Sequence, residues 1–340
     1  MGYRVAIVGA TGLVGQEFIK VLEQRSFPMT SLRLLASERS VGKKLFVTHK
    51  ETEVKETTPD SFKGIDIALF SAGTEISRYF SPIAARSGAV VVDNSAAFRM
   101  VDTIPLVVPE VNPEDIKWNK GIIANPNCST IQTVVALYPL HKANPIKRVI
   151  ASTYQAVSGT GSAAVEELTT QSKQVLEGQD AMPHVYPHQI AFNALPEIDI
   201  FLDNGYTKEE WKMVEETRKI MHATDIAISA TCVRIPVFIG HSIAVNLEFT
   251  QPMSPEEARH ILAQAPGIKI LDDPTISLYP QPWPSAGTDE VFVGRIRRDE
   301  TNPNGLVMWI VADNLRKGAA LNAVQIAEEI IKKGWIQPKG

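Results

Sequence analysis

The first 127 residues alternate short β-branched runs with amphipathic stretches, the pattern of a parallel sheet wrapped by helices. Residues 4–8 read as a first strand. From 13 to 25, Leu13, Val14, Phe18, Val21 and Leu22 fall on one helical stripe. Residues 32–36 and 66–71 read as the next strands, followed by a helix through Ile76, Phe80, Ile83 and Ala84. Segments 89–93, 106–108 and 121–124 bring the sheet to about six strands, and 44–47 with 53–56 reads as a small inserted hairpin.

After residue 128 the texture changes. A helix over 129–138 is expected to stop before Pro139, because proline lacks the N–H that continues a helix. Longer strands follow at 148–156, 227–234, 242–250, 291–298 and 305–313, between helices at 162–177, 208–222 and 255–265. Trp211, Val214 and Met221 supply the second of these helices with a docking stripe. The last two strands, joined across Asn302-Pro303-Asn304-Gly305, predict an antiparallel hairpin. A final helix over 318–332 is apolar enough to pack back on the first domain. The expected fold is therefore α/β: a Rossmann-like domain of residues 1–127 with 316–340, and a mixed α+β domain of residues 128–315.

Length agrees with that division, since 340 residues suggest about two domains. With 34 Lys and Arg against 38 Asp and Glu, the net charge is −4, which argues against a nucleic-acid partner. No apolar run is long enough to span a membrane, and the chain enters its first strand without a signal-peptide layout. Gly2 does not predict myristoylation, because Ala6 stands where that motif needs Ser or Thr. The expectation is a cytoplasmic protein whose two cysteines, Cys128 and Cys232, are reduced.

Gly9-Ala10-Thr11-Gly12-Leu13-Val14-Gly15 follows the first strand and opens a helix. Small residues there let the backbone approach a pyrophosphate at the helix N-terminus, so Gly9, Thr11, Gly12, Leu13 and Val14 are expected to bind a dinucleotide. Past the second strand, Ser37, Arg39 and Ser40 suit the 2′-phosphate of NADP, whereas Glu38 could serve the ribose hydroxyls of NAD. NADP is the expected cofactor. By the same carboxyl-end logic Ser71-Ala72-Gly73-Thr74 should pass along it, and Ser158 and Gly159 are placed with the cofactor residues.

Asn125-Pro126-Asn127-Cys128-Ser129-Thr130 follows the last strand of the first sheet and opens the next helix. A helix N-terminus lowers a thiol pKa, and the thiolate is the attacking form. Cys128 is thus either a nucleophile or a buried structural cysteine. Cys232, inside a strand, reads as structural. His184 and His188 flank Pro187 with no carboxylate at ligand spacing, so no metal site is expected.

The Asn-Pro-Asn-Cys segment resembles the aspartate-β-semialdehyde dehydrogenases of bacterial type. So do 228–242, with Arg234 and His241, and Asp93-Asn94-Ser95-Ala96-Ala97-Phe98-Arg99. Phe192-Asn193-Ala194-Leu195-Pro196 and Asp313-Asn314-Leu315-Arg316-Lys317-Gly318-Ala319 extend the resemblance over essentially the whole chain. It implies a homodimeric, NADP-dependent, phosphorylating aldehyde dehydrogenase of lysine, threonine and methionine biosynthesis, acting on aspartyl phosphate. By resemblance Cys128 forms a thioester, His241 is the general acid/base, and Gln155 and Arg234 orient the substrate, Arg234 on its α-carboxylate. Glu209 meets the amino group, while Arg99, Asn127 and Lys212 bind phosphate. Asn314 either touches the nicotinamide end or caps the last helix.

Chemistry fits these roles: histidine titrates near neutrality, and arginine forks a carboxylate. Glu209 and Lys212, three apart on a helix, share a face, although alone such a pair reads as a solvated ion pair. One geometric conflict stands. Arg234 and His241 are seven apart, which a regular strand would put on opposite faces. Pro236 and Gly240 predict a break or bulge between them. Two alternatives remain: an N-acetyl-γ-glutamyl-phosphate reductase, whose substrate has no free amino group for Glu209, and a non-catalytic dinucleotide-binding sensor.

Overall fold

The computed structural model describes residues 2–48 and 50–338. The chain divides into two compact units, residues 1–127 with 319–340, and residues 128–318. In the first unit β1 (Tyr3–Val8), α1 (Leu13–Gln24) and β2 (Met29–Ala36) lead into β3 (Lys44–Val47), β4 (Lys50–Glu53) and β5 (Lys55–Glu56). β6 (Ile67–Phe70), α2 (Thr74–Arg86), β7 (Val90–Asp93) and β8 (Ile122–Ala124) follow. The six main strands are all parallel, in the order β5-β2-β1-β6-β7-β8.

The central strands β1, β6, β7 and β8 are apolar at nearly every position because both faces are covered. Val5 and Ile7 pack in one cluster with Phe18, Leu22, Val324 and Ile326. Ala6 and Val8 pack in another with Phe62, Phe70 and Ala84. Sequence order reverses at β1, which has β2 on one side and β6 on the other; such a switch point opens a crevice at the carboxyl ends of the strands.

Two expected strands differ. Residues 106–108 form only one bridge, Leu106 to Ala124. Asn112 satisfies their backbone instead, accepting the Val108 N–H at 2.9 Å and donating to the Leu106 carbonyl at 2.9 Å. The hairpin closes between β3 and β4 rather than with 53–56. Val54 is fully buried in the core, and the turn that buries it sends β5 to the edge beside β2.

The second unit contains α3 (Cys128–Ala143), β9 (Ile146–Gln155), α4 (Ser162–Leu176), α5 (Lys208–Met221), β10 (Ala227–Arg234) and β11 (His241–Phe249). It continues through α6 (Pro255–Gln264), β12 (Ile268–Ile270), the one-turn α7 (Pro282–Ser285), β13 (Val291–Arg298) and β14 (Gly305–Ala312). The mixed sheet runs β10-β9-β11-β14-β13-β12, with β10–β9 and β12–β13 parallel and the other pairs antiparallel. Helix α3 packs on α5 and on α6, and all three pack on this sheet. Along β9, Val149, Ala151, Thr153 and Gln155 are buried while Arg148, Ile150 and Tyr154 are exposed.

α3 continues through Pro139 to Ala143, contrary to the expected stop. The missing hydrogen bond and ring clash cost about 3 kcal/mol. Val134, Val135, Leu137 and Leu140 are all buried around that turn, and each is worth roughly 1.5–3 kcal/mol, so packing outweighs the break. On α5 the expected docking stripe holds at Val214 and Met221 but not at Trp211. Met213, Val214, Ile220 and Met221 are buried, whereas Trp211 lies outside, edge-on to Tyr206 at 5.9 Å. The last helix starts two residues earlier than expected: a π-turn, Arg316–Ala320, runs directly into α8 (Leu321–Lys332), whose apolar face joins the core of the first unit.

Candidate active site

In the second unit, β9 lies between β10 and β11, and its carboxyl end is where the candidate groups meet. Past Arg234 the chain crosses over that end. Ile235 N–H bonds the Gln155 carbonyl at 3.0 Å, then Val157 N–H bonds Val237 at 2.8 Å and Ser158 N–H bonds Phe238 at 3.2 Å. Gly240, at φ +97°, then turns the chain into β11; a Cβ there would sit 2.8 Å from Pro282. Arg234 and His241 thus arrive from two strands on either side of β9. A Cβ added at Gly159 would lie 3.0 Å from the Arg234 guanidinium and 3.3 Å from the His241 ring. The break expected at Pro236 and Gly240 is a strand crossover, and it removes the opposite-face conflict.

α3 delivers the thiol. Cys128 is its first residue and half-buried, and its Sγ lies 3.2 Å from His241 Nε2. The other ring nitrogen, Nδ1, accepts the Ala156 N–H at 3.0 Å. His241 is fully buried, and burial, then the Arg234 charge, hold its pKa well below 6.5. Arg234 donates through Nη1 to the Ala156 carbonyl at 2.7 Å. Its Nε is buried with no partner, leaving donor capacity on a positive group. Uncompensated burial of that kind is costly.

Gln155, the last residue of β9, donates to Ser129 Oγ at 2.7 Å and to Glu209 at 3.3 Å. Lys212 bridges Glu209 at 3.2 Å and Asp199 at 2.8 Å. Glu209 is buried, so the pair is no solvated surface bridge, and one line of contacts joins Lys212, Glu209, Gln155 and the residue beside Cys128. The Asn314 side chain donates to Ser158 Oγ at 2.9 Å and accepts the Gly240 N–H at 2.8 Å. Asn314 does not cap the last helix; Asp313 accepts the Leu315 and Arg316 N–H groups there.

The first unit carries the remaining candidates. Arg99 is buried and donates to the Asn125 and Asn94 carbonyls at 3.0 and 2.7 Å; Asn127 is buried just before Cys128 in the chain. At the glycine turn, Gly9 has φ +86° and a Cβ there would fall 2.1 Å from the Ser71 carbonyl. β1's turn therefore lies directly on the Ser71–Thr74 segment. Neither Gly12 nor Gly73 caps its helix with a side chain, so the first amides of α1 and α2 stay available to an anion. Thr11 Oγ1 meets Ser40 Oγ at 3.3 Å, while Ser37, Glu38 and Arg39 are exposed at the end of β2. These residues fit a dinucleotide.

Three further positions, outside the expected set, shape the site. Ala156 holds both His241 and Arg234. Tyr186 sets its ring 6.0 Å from the Arg234 guanidinium and donates to Thr160 at 2.9 Å. Glu167 is buried and accepts the His184 N–H at 2.9 Å as well as the Val185 and Tyr186 N–H groups, pinning the loop that carries Tyr186. A signal existed for Glu167. With Gln171 it interrupts the buried Ala164–Leu168 stripe of α4 at helical spacing. Among the described residues no three His, Cys, Asp or Glu side chains converge as a metal site, and no helix is long and apolar enough to cross a membrane.

A Rossmann-like unit with a glycine-turn cradle, joined in chain order to a mixed-sheet unit with a buried polar site, defines a two-domain dinucleotide-binding oxidoreductase. The profile described as "Semialdehyde dehydrogenase, NAD binding domain" matches residues 4–119, and "Semialdehyde dehydrogenase, dimerisation domain" matches residues 137–317. The chain belongs to the aspartate-semialdehyde dehydrogenase family. It is 60% identical to the aspartate-semialdehyde dehydrogenase of Aquifex aeolicus (strain VF5), over 99% of this chain and 100% of that one. Aspartate semialdehyde dehydrogenase II of Vibrio cholerae, crystallised with ASA, superposes with a TM-score of 0.95 at 48% identity, covering 98% and 99% of the two chains. The Candida albicans enzyme with NADP gives 0.77 at 27% identity, over 98% and 99%.

Proposed function

We propose that the chain catalyses the reversible, NADP-dependent reductive dephosphorylation of L-4-aspartyl phosphate to L-aspartate 4-semialdehyde, through a thioester on Cys128, in lysine, threonine and methionine biosynthesis. The observation that carries this reading is the 3.2 Å approach of Cys128 Sγ to His241 Nε2, in a chain of this family. Cys128 attacks the acyl carbon as the thiolate, the form favoured at a helix start. His241 is the acid/base group at the sulfur and at the adduct oxygen. Arg234, with its unused buried Nε, takes the α-carboxylate; Gln155 orients the acyl group, and Glu209 takes the amino group. Arg99, Asn127 and Lys212 hold phosphate. Gly9, Thr11, Gly12, Leu13, Val14 and the Ser71–Thr74 segment hold the dinucleotide, with Ser158, Gly159 and Asn314 toward its nicotinamide end. When bound, it supplies the hydride.

NADP over NAD rests on Ser37 and Arg39, exposed at the end of β2, with Ser40 beside them. The homodimer rests on the exposed row along β9, where Tyr154 lies tilted against Trp309 at 5.4 Å, in the part matched by the dimerisation-domain profile. A thiolate chemistry needs a reducing compartment, which makes the cytoplasm its place. The test is NADP reduction with L-aspartate 4-semialdehyde, which should require inorganic phosphate. Reduction that ignores phosphate overturns the acyl-phosphate chemistry, and activity only on the N-acetyl-γ-glutamyl analogue overturns the substrate.

A further inference from the structure

We propose that Asp199 divides the charge of Lys212 between the two substrates, weakening its hold on phosphate so that Glu209 keeps its attraction for the amino group. It rests on the roles given above to Glu209 and Lys212 and deepens them.

Lys212 stands between two carboxylates. Its Nζ lies 3.2 Å from Glu209 Oε2 and 2.8 Å from Asp199 Oδ2, so the shorter contact is the one to Asp199. The backbone at Asp199 is left-handed, with φ +69°, a conformation that Asp and Asn tolerate better than larger side chains. Asp199 Oδ1 accepts the N–H of Ile200 at 3.0 Å. The Ile200 carbonyl in turn accepts the N–H of Lys208, the first residue of α5, at 2.8 Å. One carboxylate oxygen is thus tied to backbone that hangs on α5. The other meets a lysine one turn further along the same helix. Backbone held in a sparsely populated region is kept where the surroundings enforce it, which is common at functional sites.

Two carboxylates and one ammonium leave this group with one surplus negative charge. Its sign acts oppositely on the two substrates. A phosphate approaching Lys212 meets an ammonium already shared with Asp199 and is repelled by the surplus. An amino group approaching Glu209 is attracted by it. Paired with Glu209 alone, Lys212 would cancel that carboxylate, and the amino group would meet a neutral pair. The Lys212 and Asp199 side chains are 19% and 31% exposed and that of Glu209 only 7%, so solvent and salt screen the effect only in part. Asp199 is a positioning residue, acting through Lys212 on the balance between phosphate and amino group.

Asp199→Asn isolates the charge, because Asn adopts the left-handed backbone and keeps an amide oxygen for the Ile200 N–H. In NADP reduction at low ionic strength, KM for inorganic phosphate should fall by about threefold or more, while KM for L-aspartate 4-semialdehyde rises by about threefold. Both shifts should shrink in about 0.5 M KCl. Opposite movement is the signature, since a merely loosened site raises both constants. Constants that rise together, or that stay at their wild-type values, overturn the proposal. If Asp199→Asn does not fold, Asp199→Gly also suits the left-handed backbone, lacks the carboxylate and is read in the same way. Calorimetric titration of wild type and variant with inorganic phosphate, and separately with L-aspartate 4-semialdehyde, reads the same pair of shifts without turnover. It therefore separates the two readings. Opposite shifts in affinity, in a protein whose NADP reduction ignores phosphate, retain the division of charge and remove the reaction. Phosphate-dependent reduction with unmoved affinities does the reverse.

Discussion

Cys128 and Cys232 lie in the same unit of the protein and carry the same side chain in opposite surroundings. Cys128 begins α3, half-buried, with the His241 ring nitrogen 3.2 Å from its sulfur. Cys232 sits inside β10, fully buried, its sulfur 3.7 Å from Met213 Sδ and its N–H donated to Glu210 at 2.9 Å. Burial, then the Glu209 charge, push the Cys232 thiol pKa far above its ordinary value. The difference between the two thiols is one of position, not of side chain. A helix start with a polar neighbour favours a thiolate, and a strand interior forbids one.

The strongest way to break this contrast is Cys128→Ala. Turnover should fall at least about a thousandfold, with dinucleotide binding by fluorescence titration retained; residual wild-type turnover would remove Cys128 from the chemistry. His241→Gln should lower kcat by roughly 10²–10⁴-fold and slow iodoacetate labelling of Cys128. Equal labelling rates in variant and wild type would mean that the 3.2 Å contact does not tune the thiol. Cys232→Ser should do the opposite: kcat within about threefold, but stability lower by about 1–3 kcal/mol in urea titration, because a hydroxyl replaces an apolar thiol in a dry strand. A catalytic collapse in that variant would erase the distinction between the two cysteines.

The smallest expected effect is on stability against pH. His241 stays neutral when folded below its ordinary pKa of 6.5, whereas the unfolded chain takes up the proton there. Native stability should therefore drop as pH falls through 6.5, and drop less in His241→Gln. Urea midpoints measured on both proteins above and below that pH check the sign; parallel slopes would mean that His241 protonates in the native state.

Periodicity made the parallel unit legible, since strands buried on both faces and helices with one apolar stripe announce themselves locally. The glycine turn and the placement of Cys128 at a helix start were legible for the same reason: both depend on residues adjacent in sequence. Pro139 misled because the burial around α3 is invisible to a local rule. Segment 106–108 misled because the Asn112 side chain replaces a strand partner. Trp211 misled because its size suggests core, while the neighbours that α5 docks against select the face of Met213 and Ile220.

For the candidate site the division is sharper. The residue types, the strand–turn–helix cradle and the thiol at the start of α3 follow from the sequence by itself, because short-range sterics and helix geometry determine them. The meeting of Arg234, His241 and Cys128 does not. It depends on β9 lying between β10 and β11, and on a crossover whose hydrogen bonds join residues about 80 apart. The choice of which imidazole nitrogen faces the sulfur rests on the N–H of Ala156, a residue whose side chain carries no chemistry. Backbone groups are the same at every position of a sequence, and only tertiary structure gives each one a direction.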